Sequence, residues 1–131
     1  MILLDTHILV WFVSNPEKLS QAAIELVHEH SESGVVNVSA ISVWELAMLE
    51  KKQRLKLSMP VETWLNKIES LPFISFIPVD NAIAIRSVQL PEPLHKDPAD
   101  RIIAATAIGM DLTLVTKDER LLRYAPVHTV W

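Results

Sequence analysis

The sequence predicts an α/β fold, in which a central parallel β-sheet of four to five short strands is flanked by helices on both faces. Short apolar runs alternate along the 131 residues with longer segments of helical periodicity, and this alternation is typical of parallel sheets. The apolar runs are continuous, as expected of strands buried on both faces. No repeat, low-complexity tract or linker divides the chain, so we expect residues 1–131 to form a single domain.

The predicted strands are the short apolar runs bounded by turn-forming or charged residues. They are MILL before Asp5, GVVNVSA from Gly34, FISFIPV, LTLVT and, to make a fifth, VHTVW. Their length and their content of Val, Ile and Thr favour buried strands over helices.

The predicted helices lie between these runs. They cover residues 20–30, 39–52, 60–70, 81–90 and 98–108. Pro98 is favoured at the first position of the last helix, which makes Asp97 its N-cap. Gly109 is predicted to end that helix.

Composition restricts the type of chemistry. Cysteine is absent, which excludes disulfides and thiolate metal sites and suits a reducing compartment. No apolar run reaches the roughly 18 residues of a membrane span, and MILLDTH lacks the basic leader of a signal peptide, so we expect a soluble cytoplasmic protein. Gly34 and Gly109 are the only glycines, which excludes a P-loop and a G-x-G-x-x-G motif. The chemistry must therefore come from side chains.

Two acids stand where strands are predicted to end. Asp5 directly follows MILL, and Asp118 follows LTLVTK. Open α/β sheets bind ligands outside the carboxyl ends of their strands, at the point where strand order reverses. A solvated loop aspartate or a helix N-cap would also explain either residue alone.

Glu45 and Asp100 lie on apolar faces of predicted helices. Three of the four neighbours of Glu45 at helical spacing are apolar; the four are Ile41, Ser42, Met48 and Leu49. The face of Asp100 continues through Ile103, Ala104 and Ala107. A carboxylate in such a place is costly unless it is paired, protonated or bound to a metal. For Glu45 the alternatives are a buried ion pair with an arginine, or a helix rotated so that Glu45 lies at the margin of the apolar face. For Asp100 the alternative is an interaction with the helix dipole.

Asp5, Glu45, Asp100 and Asp118 together form a candidate metal site. Gathered carboxylates repel one another, and hard divalent cations relieve that repulsion. Mg²⁺, with Mn²⁺ as a substitute, would activate a bound water and hold the oxygens of a phosphodiester. Thr6, Asp97 and Thr116 are candidates for supporting these ligands, although Thr116 is equally compatible with simple strand packing.

Basic residues are distributed unevenly along the chain. Net charge is −4, and through Glu50 there is one base, Lys18, against seven acids, whereas eleven bases and nine acids follow. The bases flanking the acids are candidate contacts for nucleic-acid phosphates, with a solvated, ion-paired surface as the alternative. They are Lys96, Arg101, Lys117 and Arg120.

Four segments of the chain together resemble the VapC-like toxins among the PIN-domain ribonucleases. They are LLDTHILVW, VSAISVWELA, HKDPADRIIAATA and LVTKDERL, and the resemblance extends over the full length. It implies a parallel sheet with flanking helices, Mg²⁺-dependent endonuclease cleavage of RNA, homodimerisation and inhibition by a VapB-like antitoxin. The acidic site that it implies is Asp5, Glu45, Asp100 and Asp118, with none of the four missing.

Two other functions were compared with this one. An aspartyl-phosphate phosphatase would use Asp5 as nucleophile, but such enzymes resemble haloacid dehalogenases, which normally carry a second aspartate where His7 stands. A non-catalytic RNA-binding or protein-binding scaffold is less favoured because all four acids are present. The histidines lack zinc-ligand spacing. His7 lies close to Asp5 and His95 to Asp97 in sequence, so either could contact the substrate or the carboxylates, but a structural or solvated role is favoured for both. Core packing or a partner surface is favoured over base stacking for Trp11, Phe12, Trp44 and Trp64.

Overall fold

Five parallel strands form one sheet in the order β3-β2-β1-β4-β5, in a computed structural model that describes residues 1–131. The strands are β1 (Ile2–Leu4), β2 (Val36–Ser39), β3 (Ile74–Ile77), β4 (Thr113–Val115) and β5 (Thr129–Val130). The predicted parallel sheet is confirmed with all five strands. Strand order reverses between β1 and β4, and such a switch point is where open α/β sheets bind ligands.

Seven α-helices cover the two faces of the sheet. They are α1 (Thr6–Ser14), α2 (Gln21–Ser33), α3 (Ala40–Lys51), α4 (Val61–Glu69), α5 (Asn81–Val88), α6 (Pro98–Met110) and α7 (Glu119–Leu122). The five predicted helices are confirmed as α2 to α6, with boundaries shifted by a few residues. Sequence periodicity missed α1, which follows β1 after the single residue Asp5, and α7, which is only four residues long.

The prediction that Gly109 ends α6 is wrong. The helix continues to Met110, and Asp111 ends it by adopting a left-handed conformation with φ of 53°. Gly109 has a packing role instead, because a Cβ there would lie 1.9 Å from the Arg86 Nη1 atom of α5. The end of the Arg86 side chain thus lies in the space that a side chain at position 109 would occupy.

The sheet separates two hydrophobic clusters, one on each face. Ile2 and Leu4 belong to the cluster under α1, α2, α3 and α4, whereas Leu3 belongs to the cluster under α5 and α6. This division follows from the alternation of side chains along a strand. Leu4 pairs with Val38 of β2 and Val115 of β4, so the residues that follow these strands meet at one edge. None of the helices combines the length and apolar character needed to cross a membrane.

Candidate functional site

Asp5 connects the two central strands at the switch point. Its Oδ1 accepts a hydrogen bond from the Thr6 amide at 2.8 Å and thereby caps α1. Its Oδ2 accepts a hydrogen bond from the Thr116 hydroxyl, at the end of β4, at 2.7 Å. The side chain is buried, and this burial raises the pKa of Asp5 although both hydrogen bonds oppose the shift. The carboxylate is therefore held in one orientation by residues that follow two strands distant in sequence, β1 and β4.

Thr116 extends this connection to Asp118. While the Thr116 hydroxyl donates to Asp5, its oxygen accepts a hydrogen bond from the Asp118 amide at 3.0 Å. Asp118 in turn caps α7, because its Oδ1 accepts from the Arg120 amide at 2.8 Å. Of the two roles considered for Thr116, the structure shows the hydroxyl bonded to an acid of the site.

Asp100 lies in the first turn of α6, where Asp97 is the N-cap as predicted. The Asp100 amide donates to Asp97 Oδ1 at 3.2 Å. Asp100 is 7% exposed, and its Oδ2 lies 2.6 Å from His95 Nε2. Burial, together with the nearby charges of Asp5, Asp97 and Asp118, raises the pKa of Asp100 to about 6, although the hydrogen bond from His95 opposes the shift.

His95 thus contacts a carboxylate of the candidate site. Because an ionised Asp100 can only accept, His95 donates to it through Nε2. The other ring nitrogen, Nδ1, is buried without a hydrogen-bond partner. Of the two roles considered for His95, the structure supports contact with a carboxylate, which was the less favoured one.

Glu45 enters the site from α3. Thr6 of α1 and Ser42 of α3 share a hydrogen bond of 2.8 Å between their hydroxyl groups, which ties the two helices together beside the site. Glu45 is half-buried, and burial and the charge of Asp5 raise its pKa. None of the ion pairs in the structure involves Glu45. The buried pairing with an arginine that was considered for it is therefore absent.

The four predicted acids converge on one open cavity of about 330 Å³, which we call the acidic cleft. It is lined by Asp5, His7, Ile8, Trp11, Glu45, Asp97, Asp100, Lys117, Asp118 and Arg120. These residues come from α1 and the residue before it, from α3, from the start of α6 and its N-cap, and from the segment that runs from β4 into α7. The sheet topology therefore gathers carboxylates from four separate parts of the chain.

Arg120 is the cation most closely associated with these acids. Its Nη2 lies 3.0 Å from Asp118 Oδ2 and 3.7 Å from Asp100 Oδ2. Burial would raise the pKa of Asp118, but hydrogen bonds from the Arg120 side chain and from backbone amides outweigh it and lower that pKa. One guanidinium thus bridges two carboxylates, and no cation is paired with Asp5 or Glu45.

The donor set fits a hard divalent cation. His95, Asp100 and Asp118 offer ligand atoms that lie within 4.8 Å of one another, and Asp5 faces the same cleft. Carboxylate oxygens are the ligands preferred by Mg²⁺ and Ca²⁺, whereas structural zinc sites depend on several cysteines and histidines. His95 already uses Nε2 to bond Asp100, so the available donors are mainly oxygens.

The predicted phosphate-binding residues divide into two pairs. Lys117 and Arg120 line the acidic cleft, whereas Lys96 and Arg101 do not. Arg101 points inward and donates to the backbone carbonyls of Ser87 at 3.0 Å and Leu94 at 3.2 Å. Its guanidinium is thus used to hold the segment before α6 and is not presented to a ligand in the cleft.

The four aromatic residues for which core packing or a partner surface was predicted differ in burial. Trp64 is buried in a hydrophobic cluster and Phe12 packs against that cluster, which confirms core packing for both. Trp44 is 53% exposed and is not a core residue. Trp11 packs on the core but also lines the acidic cleft, with Lys117 Nζ 5.7 Å from its ring centroid. Its place at the site was missed, because a tryptophan among apolar neighbours reads as core.

Residues 2–126 match the family model of the PIN domain. With the five-stranded parallel sheet and the acidic cleft at its switch point, this match shows that the chain belongs to the PIN-domain family.

Within that family the chain is similar to ribonuclease VapC22 of Mycobacterium tuberculosis (strain ATCC 25618 / H37Rv), with 39% identity over 132 residues, 99% of this chain and 98% of the relative. Among solved structures it resembles VapBC2 of Rickettsia felis bound to a promoter DNA fragment, at a TM-score of 0.73 and 20% identity, covering 99% of this chain and 98% of the other. It also resembles FitAcB of Neisseria gonorrhoeae, at a TM-score of 0.71 and 26% identity, covering 100% and 97% of the two chains.

Proposed function

We propose that the protein is a Mg²⁺-dependent endoribonuclease, with Mn²⁺ as a substitute ion, and the toxin of a toxin–antitoxin pair. The observation that carries the proposal is the convergence of Asp5, Glu45, Asp100 and Asp118 on one open cleft at the sheet's switch point. The similarity to ribonuclease VapC22 over almost the whole of both chains supports RNA as the substrate.

Each group has a defined task in this proposal. Asp5, Asp100 and Asp118 would hold the cation, and Glu45 lines the same cleft from α3. A bound divalent cation lowers the pKa of a water molecule and stabilises negative charge on a phosphodiester. Thr116 orients Asp5, and His95 orients Asp100, as supporting groups around metal ligands commonly do. Lys117 and Arg120, on the same cleft, are placed to neutralise phosphate oxygens of the substrate.

The geometry disfavours the phosphatase alternative. Hydrogen bonds to a carboxylate oxygen lower its nucleophilicity, and both oxygens of Asp5 accept short hydrogen bonds from Thr6 and Thr116. The side chain is also 8% exposed. Asp5 is therefore better suited to hold a cation than to attack a phosphoester.

The direct test is cleavage of purified RNA by purified protein. We expect cleavage with Mg²⁺ or Mn²⁺ and none with excess EDTA. The Asp5→Asn protein, purified in parallel, controls for contaminating nucleases. Equal cleavage by wild type and Asp5→Asn, or full activity in EDTA, would refute the metal-dependent mechanism.

The toxin proposal needs a test in cells. We expect a VapB-like antitoxin that covers the cleft and offers an arginine to the carboxylates, since a guanidinium pairs well with carboxylates. Expression of the wild-type chain alone should arrest growth, and coexpression of the antitoxin should restore it. If wild type and Asp5→Asn are equally harmless in several hosts, the toxin assignment fails while the ribonuclease assignment stands. We also expect a homodimer, which light scattering of the purified chain would measure.

A further inference from the structure

A second and larger cleft lies beside the acidic cleft. It has a volume of about 610 Å³ and runs between α1, the connection from α3 to α4, and α4 itself. Its apolar floor includes Val10, Trp64 and Ile68. The charged residues that line it are all basic: Lys18, Arg54, Lys56 and Lys67. We call it the basic cleft.

The cations of the basic cleft have no acidic partners. All four are exposed, and none of them takes part in an ion pair, because every ion pair in the structure uses His95, Arg101, Arg120 or Arg123. The chain as a whole carries a net charge of −4. Four uncompensated positive charges along one groove of an acidic protein are a local field that attracts a polyanion.

Trp11 connects the two clefts, since it lines both of them. On the side of the basic cleft, Lys18 Nζ lies 5.8 Å from the Trp11 ring centroid. On the side of the acidic cleft, Lys117 Nζ lies 5.7 Å from the same ring and 5.4 Å from the ring of Trp131. The rings of Trp11 and Trp131 are 6.2 Å apart. An aromatic pair bordered by two lysines thus marks the passage between the clefts.

We propose that the basic cleft binds the RNA strand that continues from the scissile phosphate, with Trp11 as a stacking platform at the passage. Lys117 and Lys18 contact phosphates on either side of Trp11, and Arg54, Lys56 and Lys67 contact phosphates farther along. Proteins that bind single strands without base readout combine these two elements, a positive groove and aromatic side chains. The inference rests on the proposed ribonuclease function and adds the path of the substrate.

RNA fits this cleft better than a protein segment does. A single strand brings one negative charge per nucleotide, which matches a lining with four cations and no acid. It also brings a base with each phosphate, and the apolar floor and Trp11 can cover these bases. A protein segment would satisfy the lining only if it were strongly acidic.

The test is the salt dependence of RNA binding. A fluorescent single-stranded RNA is titrated with protein in EDTA, which prevents cleavage, at several salt concentrations, and binding is followed by anisotropy. Each phosphate neutralised on a single strand contributes about 0.7 to the slope of log affinity against log salt. Lys18→Ala combined with Lys56→Ala should therefore reduce the slope by about 1.4 and weaken binding at low salt.

A matched control is available close to the cleft. Lys51 and Lys52 are exposed lysines at the end of α3 that do not line the basic cleft. Lys51→Ala combined with Lys52→Ala removes the same charge and should leave the slope unchanged. Equal slope losses in the two double variants would overturn the proposal, because they would show a general charge effect.

The role of Trp11 is tested with two substitutions of similar bulk. Trp11→Phe keeps an aromatic face and Trp11→Leu does not. Stacking on one aromatic side chain strengthens binding by about tenfold. Trp11→Leu should therefore weaken RNA binding by about that factor, whereas Trp11→Phe should keep most of the affinity. Thermal melts show whether both variants are folded. Equal RNA affinities for two folded variants would overturn the stacking platform.

The remaining outcomes separate this inference from the proposed function. Wild type that cleaves RNA, with binding insensitive to Lys18 and Lys56, overturns the basic cleft and leaves the ribonuclease. Wild type that neither binds nor cleaves RNA overturns the proposed function. If the Lys18 and Lys56 double variant binds RNA normally but loses its coexpressed antitoxin, the cleft is a protein-binding site and the proposal is wrong.

Discussion

The carboxyl groups of the acidic cleft lie in two different environments: a buried wall, formed by Asp5 and Asp100, and a paired wall, formed by Asp118. On the buried wall, Asp5 and Asp100 have pKa values raised mainly by burial. On the paired wall, Asp118 has a lowered pKa because hydrogen bonds from Arg120 and from backbone amides outweigh its partial burial. The carboxylates belong to the same cleft, yet Arg120 lies closer to Asp118, at 3.0 Å, than to Asp100, at 3.7 Å, and Asp5 has no cationic partner.

This difference indicates where a metal ion is needed. Asp118 retains its charge in the metal-free protein because Arg120 and backbone amides lower its pKa. Arg120 is 58% exposed, so the ion pair contributes little to stability. Asp5 and Asp100 lose hydration without gaining an ion pair as close as that of Asp118. A divalent cation would therefore stabilise the buried wall most. The following predictions test this contrast, beginning with the largest expected effect.

The largest effect should be on RNA cleavage by variants of the buried wall. Asp5→Asn and Asp100→Asn should reduce initial rates at saturating Mg²⁺ to the level of wild type in EDTA, because each removes a charged ligand. Asp118→Asn should retain measurable activity, since Arg120 already neutralises part of that charge. Asp111→Asn is the matched control: Asp111 is exposed and left-handed at the end of α6, a conformation that asparagine tolerates. An inactive Asp118→Asn beside an active Asp100→Asn would reverse the contrast.

The second effect is on the pH dependence of stability without metal. A carboxyl group whose folded pKa is raised adds stability that is complete below its unfolded pKa and is lost as pH rises through the folded value. For Asp100 this window runs from about pH 4 to about pH 6, and linkage gives a loss of at most about 3 kcal/mol. Urea unfolding in EDTA between pH 4 and pH 8 should show this decline in wild type.

The two variants should change the pH profile in different pH ranges. Asp100→Asn should flatten the decline between pH 4 and pH 6. Asp118 has a lowered pKa, so its contribution is present above its unfolded pKa and is lost only at lower pH, below about 4. Asp118→Asn should retain the decline due to Asp100 but shift it to somewhat lower pH, because the charge of Asp118 helps to raise the pKa of Asp100. A profile that is the same in wild type and Asp100→Asn would show that burial of Asp100 carries no such penalty.

The third effect is stabilisation by Mg²⁺. At a free concentration about tenfold above the dissociation constant, linkage gives about 1.4 kcal/mol, or a few degrees of melting temperature for a chain of this size. Wild type should show this gain, and Asp100→Asn should not. Without metal at neutral pH, Asp100→Asn should be at least as stable as wild type. If the variant is clearly less stable in EDTA and gains equally from Mg²⁺, Asp100 only supports the helix and is not a metal ligand.

The fourth effect is the competition between Arg120 and the metal. The Arg120 guanidinium occupies oxygens of Asp118 and Asp100, so Arg120→Ala should tighten Mg²⁺ binding by a few-fold, as calorimetry would measure. Arg123→Ala is the control, because Arg123 pairs with Glu119 at 3.4 Å and does not line the acidic cleft. Weaker Mg²⁺ binding in Arg120→Ala would instead show that Arg120 organises the ligands.

The smallest effect should come from Asp97. Asparagine is as good an N-cap as aspartate, so Asp97→Asn should preserve α6 and reduce single-turnover cleavage less than Asp100→Asn does. Asp97→Ala removes the cap and should cost about 1 kcal/mol in thermal stability. Equal losses of rate in Asp97→Asn and Asp100→Asn would show that Asp97 also needs its charge.

Local patterns in the sequence were enough to predict most of the fold and the acids of the cleft. Continuous apolar runs predicted the parallel strands, and helical spacing predicted α2 to α6. Asp5 and Asp118 were found from their positions after strands, and Glu45 and Asp100 from their apolar helix faces. These features depend on neighbouring residues, whose spacing is visible in the sequence. That the four acids converge depends on the order of the strands, which brings the strand ends together and which the structure shows.

The sequence by itself therefore determined the five strands, the helices α2 to α6, the sheet type and the acidic residues of this protein. Only the tertiary structure decided which partner each of these residues has: His95 for Asp100, Thr116 for Asp5, and backbone carbonyls for Arg101. It also decided that Trp11 borders two clefts and that Gly109 accommodates Arg86. The physical reason is that hydrogen bonds, burial and pKa shifts depend on distances across the folded chain. Asp5 and Thr116 are 111 residues apart in sequence, yet their side chains lie within 2.7 Å.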